Sequence, residues 1–196
     1  MDETQTGRDF GLERGKVFPA AHARSLLNPA RRLVQSPRRA VGAMRLAPGA
    51  RVLELGCGPG FFSPHIVEQA APGLVVLADL QPEMLHLARQ RLSARSGLGY
   101  VQADGSVLPL AGDQFDAVFI ATVLGEIPDP EACVAEAHRV LRHDGTLAIA
   151  ETRRDSDFIT LRRLRELVEP QGFALAARRG IRWQYVAVFR PTGRPV

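Results

Sequence analysis

Three glycines alternate with other residues in Gly56-Cys57-Gly58-Pro59-Gly60, directly after the acidic apolar run Val52-Leu53-Glu54-Leu55. Glycines at this spacing open backbone conformations closed to other residues and let a ligand approach the main chain. The spacing also excludes two phosphate sites. A dinucleotide fingerprint, G-x-G-x-x-G, would need its third glycine at position 61, where Phe61 stands, and no Gly-Lys-Ser/Thr follows to make a P-loop. Two further carboxylates fall at comparable places. Asp79 closes the run Leu74-Val75-Val76-Leu77-Ala78, and Asp104 follows Val101-Gln102-Ala103 and precedes Gly105. Each can accept hydrogen bonds from ligand hydroxyls or amines. The bland alternatives are a helix N-cap for Asp79 ahead of Pro82 and a turn residue for Asp104 in Asp-Gly.

The elements that must position these residues alternate. Short buried strands are predicted at Arg51–Leu55, Leu74–Leu80, Leu98–Gln102, Gln114–Ala121 and Thr146–Glu151. Helices are predicted at Phe61–Ala70, from Gln81-Pro82-Glu83 to about Ala94, from Asp129-Pro130-Glu131 to Arg142, and at Phe158–Glu169. Such alternation implies βαβ units and a mostly parallel sheet with helices on both faces. Two last strands, Phe173–Arg178 and Trp183–Phe189, are separated only by Arg179-Gly180-Ile181-Arg182. So short a connection requires antiparallel pairing. The expected fold is therefore a doubly wound α/β sheet of seven strands, six parallel and one antiparallel near an edge. In such a sheet the first βα turn, here the glycine loop, lies where ligands bind. Ahead of it, residues 1–16 read as a flexible tail and 17–45 as a helical cap, with Asn28-Pro29 and Ser36-Pro37 as cap-and-proline helix starts. Residues 46–196 read as the main domain.

Composition removes other classes. The chain has 196 residues, is 45% hydrophobic and 23% charged, and so is globular in make-up. Its longest uncharged apolar run, Ala117–Leu124, is far short of the about 20 residues a membrane span needs. The polar, acidic N-terminus lacks a secretory signal pattern, which leads to an expectation of a cytoplasmic protein. Two distant cysteines, Cys57 and Cys133, make neither a disulfide scaffold nor a zinc cluster. The net charge of +4 is a small excess, and of 25 basic residues only Lys16 is a lysine, so charge does not by itself point to nucleic acid.

Five segments in order resemble the class I, Rossmann-like methyltransferases that use S-adenosylmethionine. They are Glu54–Gly60, Val75–Asp79, Val101–Asp104, Phe115–Val118 and Leu141–Leu147, so the resemblance covers about residues 45–190. The closest likeness is to small type 11 and quinone-biosynthesis enzymes. The resemblance implies S-adenosylmethionine as cofactor, with Gly56, Cys57, Gly58 and Gly60 forming the loop around it. It implies Asp79 on the ribose hydroxyls, Asp104 with the Gly105 amide at the adenine edge, and Leu80 and Ala121 flanking the adenine faces. Glu54 then sits near the ammonium group or braces the loop. Acidic groups without lysines suit a cationic ligand.

Methyl transfer from an activated donor chiefly needs positioning, and a base only if the acceptor must lose a proton. The candidates are Glu126, after the fourth strand, and His22, in the helical cap. Relatives often carry a histidine near Glu126, and Gly125 and Glu126 stand there instead. Either candidate can also be an ordinary surface residue. His65, His86, His138 and His143 read as surface or packing residues. No Pro-Cys follows the fourth strand, which excludes cytosine chemistry of that type, and no Asn/Asp-Pro-Pro-aromatic signature occurs. With only residues 1–45 left to cover the site, a small-molecule acceptor is the expectation. Arg24, Arg31, Arg32, Arg38 and Arg39 in that segment either attract an anionic substrate or form a solvated helix face. An RNA acceptor, or a cofactor-binding module without turnover, are the alternatives. Nothing in the sequence sets the oligomeric state.

Overall fold

A computed structural model describes residues 18–31, 35–154 and 157–193. The expected tail at 1–16 lies outside the described residues, as does Arg32. The strands are β1 Val52–Leu55, β2 Val75–Asp79, β3 Leu98–Gln102, β4 Phe115–Ala121, β5 Leu141–Thr152, β6 Phe173–Ile181 and β7 Gln184–Pro191. The helices are α1 Pro37–Gly42, α2 Ser63–Ala70, α3 Pro82–Arg91, α4 Pro130–Val140 and α5 Leu161–Val168. A 3₁₀ segment, Ala20–Leu27, precedes them, and a 3₁₀ turn, Glu169–Gln171, follows α5.

The seven strands form one sheet in the order β3-β2-β1-β4-β5-β7-β6. β1 pairs in parallel with β2 and β4, β2 with β3, and β4 with β5. β7 is antiparallel to both β5 and β6, so it is the one reversed strand and lies one place from the edge. The order turns around between β1 and β4, and there the carboxyl ends of the strands open a crevice.

Alternate side chains of each strand feed two cores. Leu53, Leu55, Val118, Ile120, Leu147 and Ile149 pack with α4 and α5 through Val134, Ala137, Leu164 and Val168. Val52, Val75, Leu77, Phe119 and Ala148 pack on the opposite face with α1, α2 and α3 through Val41, Ile66, Leu85 and Ala88. The central strands are apolar on both faces because helices cover both, as a parallel sheet requires. Glu54, in the middle of β1, is a buried acidic exception.

Cap chemistry sets the helix starts. Ser36 accepts from the Arg39 amide ahead of Pro37, and Asp129 Oδ1 accepts from Ala132 N at 2.9 Å ahead of Pro130. Three expectations need correction. The helix read from Phe158 begins at Leu161, because Thr160 caps it and the Arg163 amide donates to its hydroxyl. Phe158 and Ile159 precede it without helical structure, and the Ile159 N–H and C=O bond to Glu151 and Tyr185. β5 begins at Leu141, which is buried and pairs with Phe115 before a register shift carries the exposed Arg142–Asp144 out of the ladder. The last hairpin is tighter than expected, since pairing continues to Ile181↔Gln184 and leaves only Arg182 and Trp183 between the strands. Among the described residues no helix is long and apolar enough to cross a membrane.

Candidate functional site

The glycine loop leaves β1 pinned to β2: the amides of Gly56 and Cys57 both donate to Ala78 O, at 2.8 and 3.1 Å. Gly56, Gly58 and Gly60 all have positive φ, at 68°, 52° and 81°. At Gly56 the requirement is double, because a Cβ there would lie 2.5 Å from a Val123 methyl. Only glycine lets the loop turn while β4's continuation packs against it.

Asp79, at the end of β2, closes the loop from the other side. Its Oδ2 accepts from Gly58 N at 2.8 Å and its Oδ1 from Gln81 N at 3.0 Å. The residue is only 8% exposed, and burial raises its carboxyl against the opposing pull of those amides. Asp79 is thus a buried brace of the loop, and its oxygens keep further lone pairs.

Glu54 lies beneath the loop and does not line the cleft. Its Oε2 accepts from the Ser63 hydroxyl at 2.5 Å, tying β1 to the first turn of α2. Burial, with a smaller push from the Asp79 charge, raises its carboxyl to about 8 despite the serine. Of its two expected roles, this geometry is that of a loop brace. Cys57 is buried, its thiol pushed up by burial, and its Sγ donates to Gly58 O at 3.4 Å. A thiol held protonated this way is no nucleophile.

The crevice above the loop holds about 220 Å³ and is lined by Gly56, Cys57, Gly58, Asp79, Leu80, Asp104, Gly105, Ala121 and Glu126 among the residues expected from the sequence. Leu80, an apolar side chain, is 48% exposed there. Asp104 is exposed and accepts from Ser106 N at 2.8 Å in a tight turn. Gly60 stands outside the lining, against Ser63 and Ala88. His22 is exposed in the 3₁₀ segment and does not line the crevice. His65 and His86 interact with helix neighbours, and His138 Nε2 donates to Gly193 O at 3.0 Å.

The structure adds Phe18 and Thr122, which sequence reasoning missed, and gives Arg31 a place. Phe18 crosses the mouth of the crevice: its N–H donates to Glu126 Oε2 at 3.1 Å, and its carbonyl accepts from Gln81 Nε2 at 2.8 Å. Glu126, read as a base, is therefore engaged as a clasp. Arg31 lies over the Phe61 ring, 4.7 Å from its centroid, and donates to Thr122 Oγ1 and Gln35 Oε1. Thr122 itself has φ of 55°, a costly conformation for a β-branched residue and one that marks functional sites. The Asn28-Pro29 break hinted that the cap turns sharply; nothing local marked Phe18 or Thr122.

A family model described as a methyltransferase domain matches residues 53–149. The ubiquinone/menaquinone biosynthesis C-methyltransferase UbiE of Stenotrophomonas maltophilia (strain K279a) is 39% identical over 108 residues, 53% of this chain and 43% of that protein. Its counterpart in Shewanella piezotolerans is 37% identical over 110 residues, with the same shares covered. The chain thus spans less than half the length of these curated relatives. Among solved structures, a SAM dependent methyltransferase from Aquifex aeolicus superposes with a TM-score of 0.82 at 19% identity, over 88% of this chain and 98% of that one. A putative methyltransferase from Haloferax volcanii, solved with the Trm112 activator, gives 0.76 at 18% identity, over 89% and 97%. With its matched domain and this shared fold, the chain belongs to the class I, Rossmann-like methyltransferases, the family whose methyl donor is S-adenosylmethionine.

Proposed function

We propose that this chain transfers a methyl group from S-adenosylmethionine to a small-molecule acceptor. The observation that carries the reading is the loop held between Ala78 and Asp79, with apolar Leu80 uncovered beside it at the carboxyl ends of the strands. The residues fit the cofactor's chemistry. Asp79 has free acceptor capacity for two ribose hydroxyls, and exposed Asp104 with the Gly105 amide suits a polar purine edge. Leu80 and Ala121 offer apolar surface to the ring faces. Arg31, fixed over Phe61, suits the carboxylate of the methionine end. Among the described residues no lysine lines the crevice, in keeping with a ligand that carries no phosphate.

When bound, S-adenosylmethionine supplies a methyl carbon activated by a positive sulfur. The chain's own residues are left to bind, orient and exclude water. The segment from Phe18 to Arg31 is the natural cover. Its present volume of about 220 Å³ is below the about 300–1,000 Å³ of ordinary ligand pockets, so the cover shifts to admit the cofactor. Glu126 and Gln81 then hold it closed by gripping Phe18 on both sides. Glu126 acts here as a positioning residue.

A small acceptor is supported by the UbiE relatives, which are C-methyltransferases of ubiquinone and menaquinone biosynthesis. The test is incubation of the protein with cell extract and methyl-labelled S-adenosylmethionine, followed by untargeted mass spectrometry. A labelled small molecule supports the reading; label appearing only in RNA or protein, or nowhere, refutes it.

A further inference from the structure

A second open cavity, of about 700 Å³, lies beside the first at the carboxyl end of β5. Ala150 and Glu151 line it, next to Ala121 and Thr122 of the first crevice in the β4–β5 ladder. Its other walls come from α1 and from the β6–β7 hairpin, including Arg39, Arg179 and Ile181. One side-chain pair divides the two spaces. Arg31, in the wall of the first, donates from Nε to Oε1 of Gln35, in the wall of the second, at 3.1 Å.

That bond fixes the Gln35 amide. The oxygen must face the arginine, so the NH₂ is turned away from it. Gln35 is only 4% exposed, yet its Nε2 has no hydrogen-bond partner. A buried donor left unmade is costly and rare, and this one, closed off within the cavity wall, gains an acceptor when a ligand opens that wall. The charges give that ligand a direction. Arg39 and Arg179 are exposed cations, whereas Glu151 is a buried carboxylate, 2% exposed, that already accepts from Ile159 N at 3.2 Å. An anionic group is favoured at the arginines and repelled at the floor.

We propose that this second cavity receives the methyl acceptor, and that the acceptor is a small hydroxy acid: its hydroxyl oxygen accepts from Gln35 Nε2 while its carboxylate lies between Arg39 and Arg179. This rests on the methyltransferase reading above, and it makes Gln35 a specificity residue linked through Arg31 to the cofactor crevice.

The test uses the full chain saturated with S-adenosylhomocysteine and titrated with 4-hydroxybenzoate, with benzoate and 4-hydroxybenzyl alcohol as controls. 4-Hydroxybenzoate binds more tightly than either control. Gln35→Leu and Gln35→Glu each weaken it on the order of tenfold or more at saturating S-adenosylhomocysteine, while a cooperative thermal melt of each variant shows that it folds. Arg39→Ala with Arg179→Ala abolishes the preference over the alcohol. Equal binding in these variants, preference for the alcohol, displacement by S-adenosylhomocysteine, or no binding of 4-hydroxybenzoate to the homocysteine-bound protein overturns the proposal. Failure of S-adenosylhomocysteine itself to bind strikes instead at the reading on which it rests.

Discussion

Glu54 couples the loop to pH. Between 4.5 and about 8 the folded protein holds a proton on this buried carboxyl that the unfolded chain has released. Unfolding then loses a proton, so this group's contribution to stability is full below 4.5 and declines as pH rises to about 8. Glu54→Gln keeps the shape and an acceptor for Ser63 but removes the titration. Thermal melts across that pH range should show the variant gaining on the parent as pH rises, by on the order of a few kcal/mol in total. A constant difference would mean that Glu54 is ionised throughout. Asp79 makes the complementary case at the same scale. Asp79→Ala removes the acceptor for the Gly58 amide as well as the ribose contacts. Cofactor affinity measured by calorimetry should fall about ten- to a thousandfold, from two bonds of roughly 1.5–3 kcal/mol each to a charged acceptor, partly replaced by water. Asp79→Asn, which keeps one acceptor oxygen, should lose less. The melting temperature should also drop by several degrees, because the loop loses a brace.

At the scale of elements, the loop's geometry depends on a neighbour distant in sequence. Gly56→Ala meets both a φ of 68° and the Val123 methyls at 2.5 Å. Adding Val123→Ala should relieve the contact but leave the backbone cost of about 1–2 kcal/mol. Denaturant unfolding should therefore place the double variant between Gly56→Ala and the parent; full recovery would show that only the side-chain contact mattered. The cover gives a sharper choice. Glu126→Gln still offers an oxygen to the Phe18 amide but cannot take up a proton. With the clasp role, it should retain cofactor affinity within about threefold, whereas Glu126→Ala should speed limited proteolysis near Phe18 and weaken binding by several-fold, a single hydrogen bond's worth. Once an acceptor is in hand, a Glu126→Gln protein that binds cofactor normally but transfers no methyl would restore the base reading.

At the scale of the whole molecule, what was legible in the sequence followed from local rules. The alternation of buried strands with proline-started helices gave the layers, and the short link between the last two strands gave the reversed β7. Gly56, Asp79, Leu80, Asp104 and Glu126 were legible as crevice residues because each sits at or just after a strand's carboxyl end, where the topology itself makes the crevice. Phe18 and Thr122 were not, because their places depend on contacts 63 to 108 residues away in the chain, such as Phe18 to Gln81 and Glu126. The same limit explains His22: helical periodicity put it in the cover but could not say which side faces the crevice. Likewise the place of Glu54 beside the loop left both a ligand contact and a loop brace open, and only the packing of α2 over β1 turns it inward to Ser63.

We expect the crevice between Gly56, Asp79 and Asp104 to bind S-adenosylmethionine. Calorimetric titration of the full chain with S-adenosylmethionine tests it most directly. The expected result is saturable binding at one site per chain, lost or weakened at least about tenfold by Asp79→Ala. No heat and no thermal shift at millimolar cofactor, or undiminished binding to the Asp79→Ala protein, would contradict it.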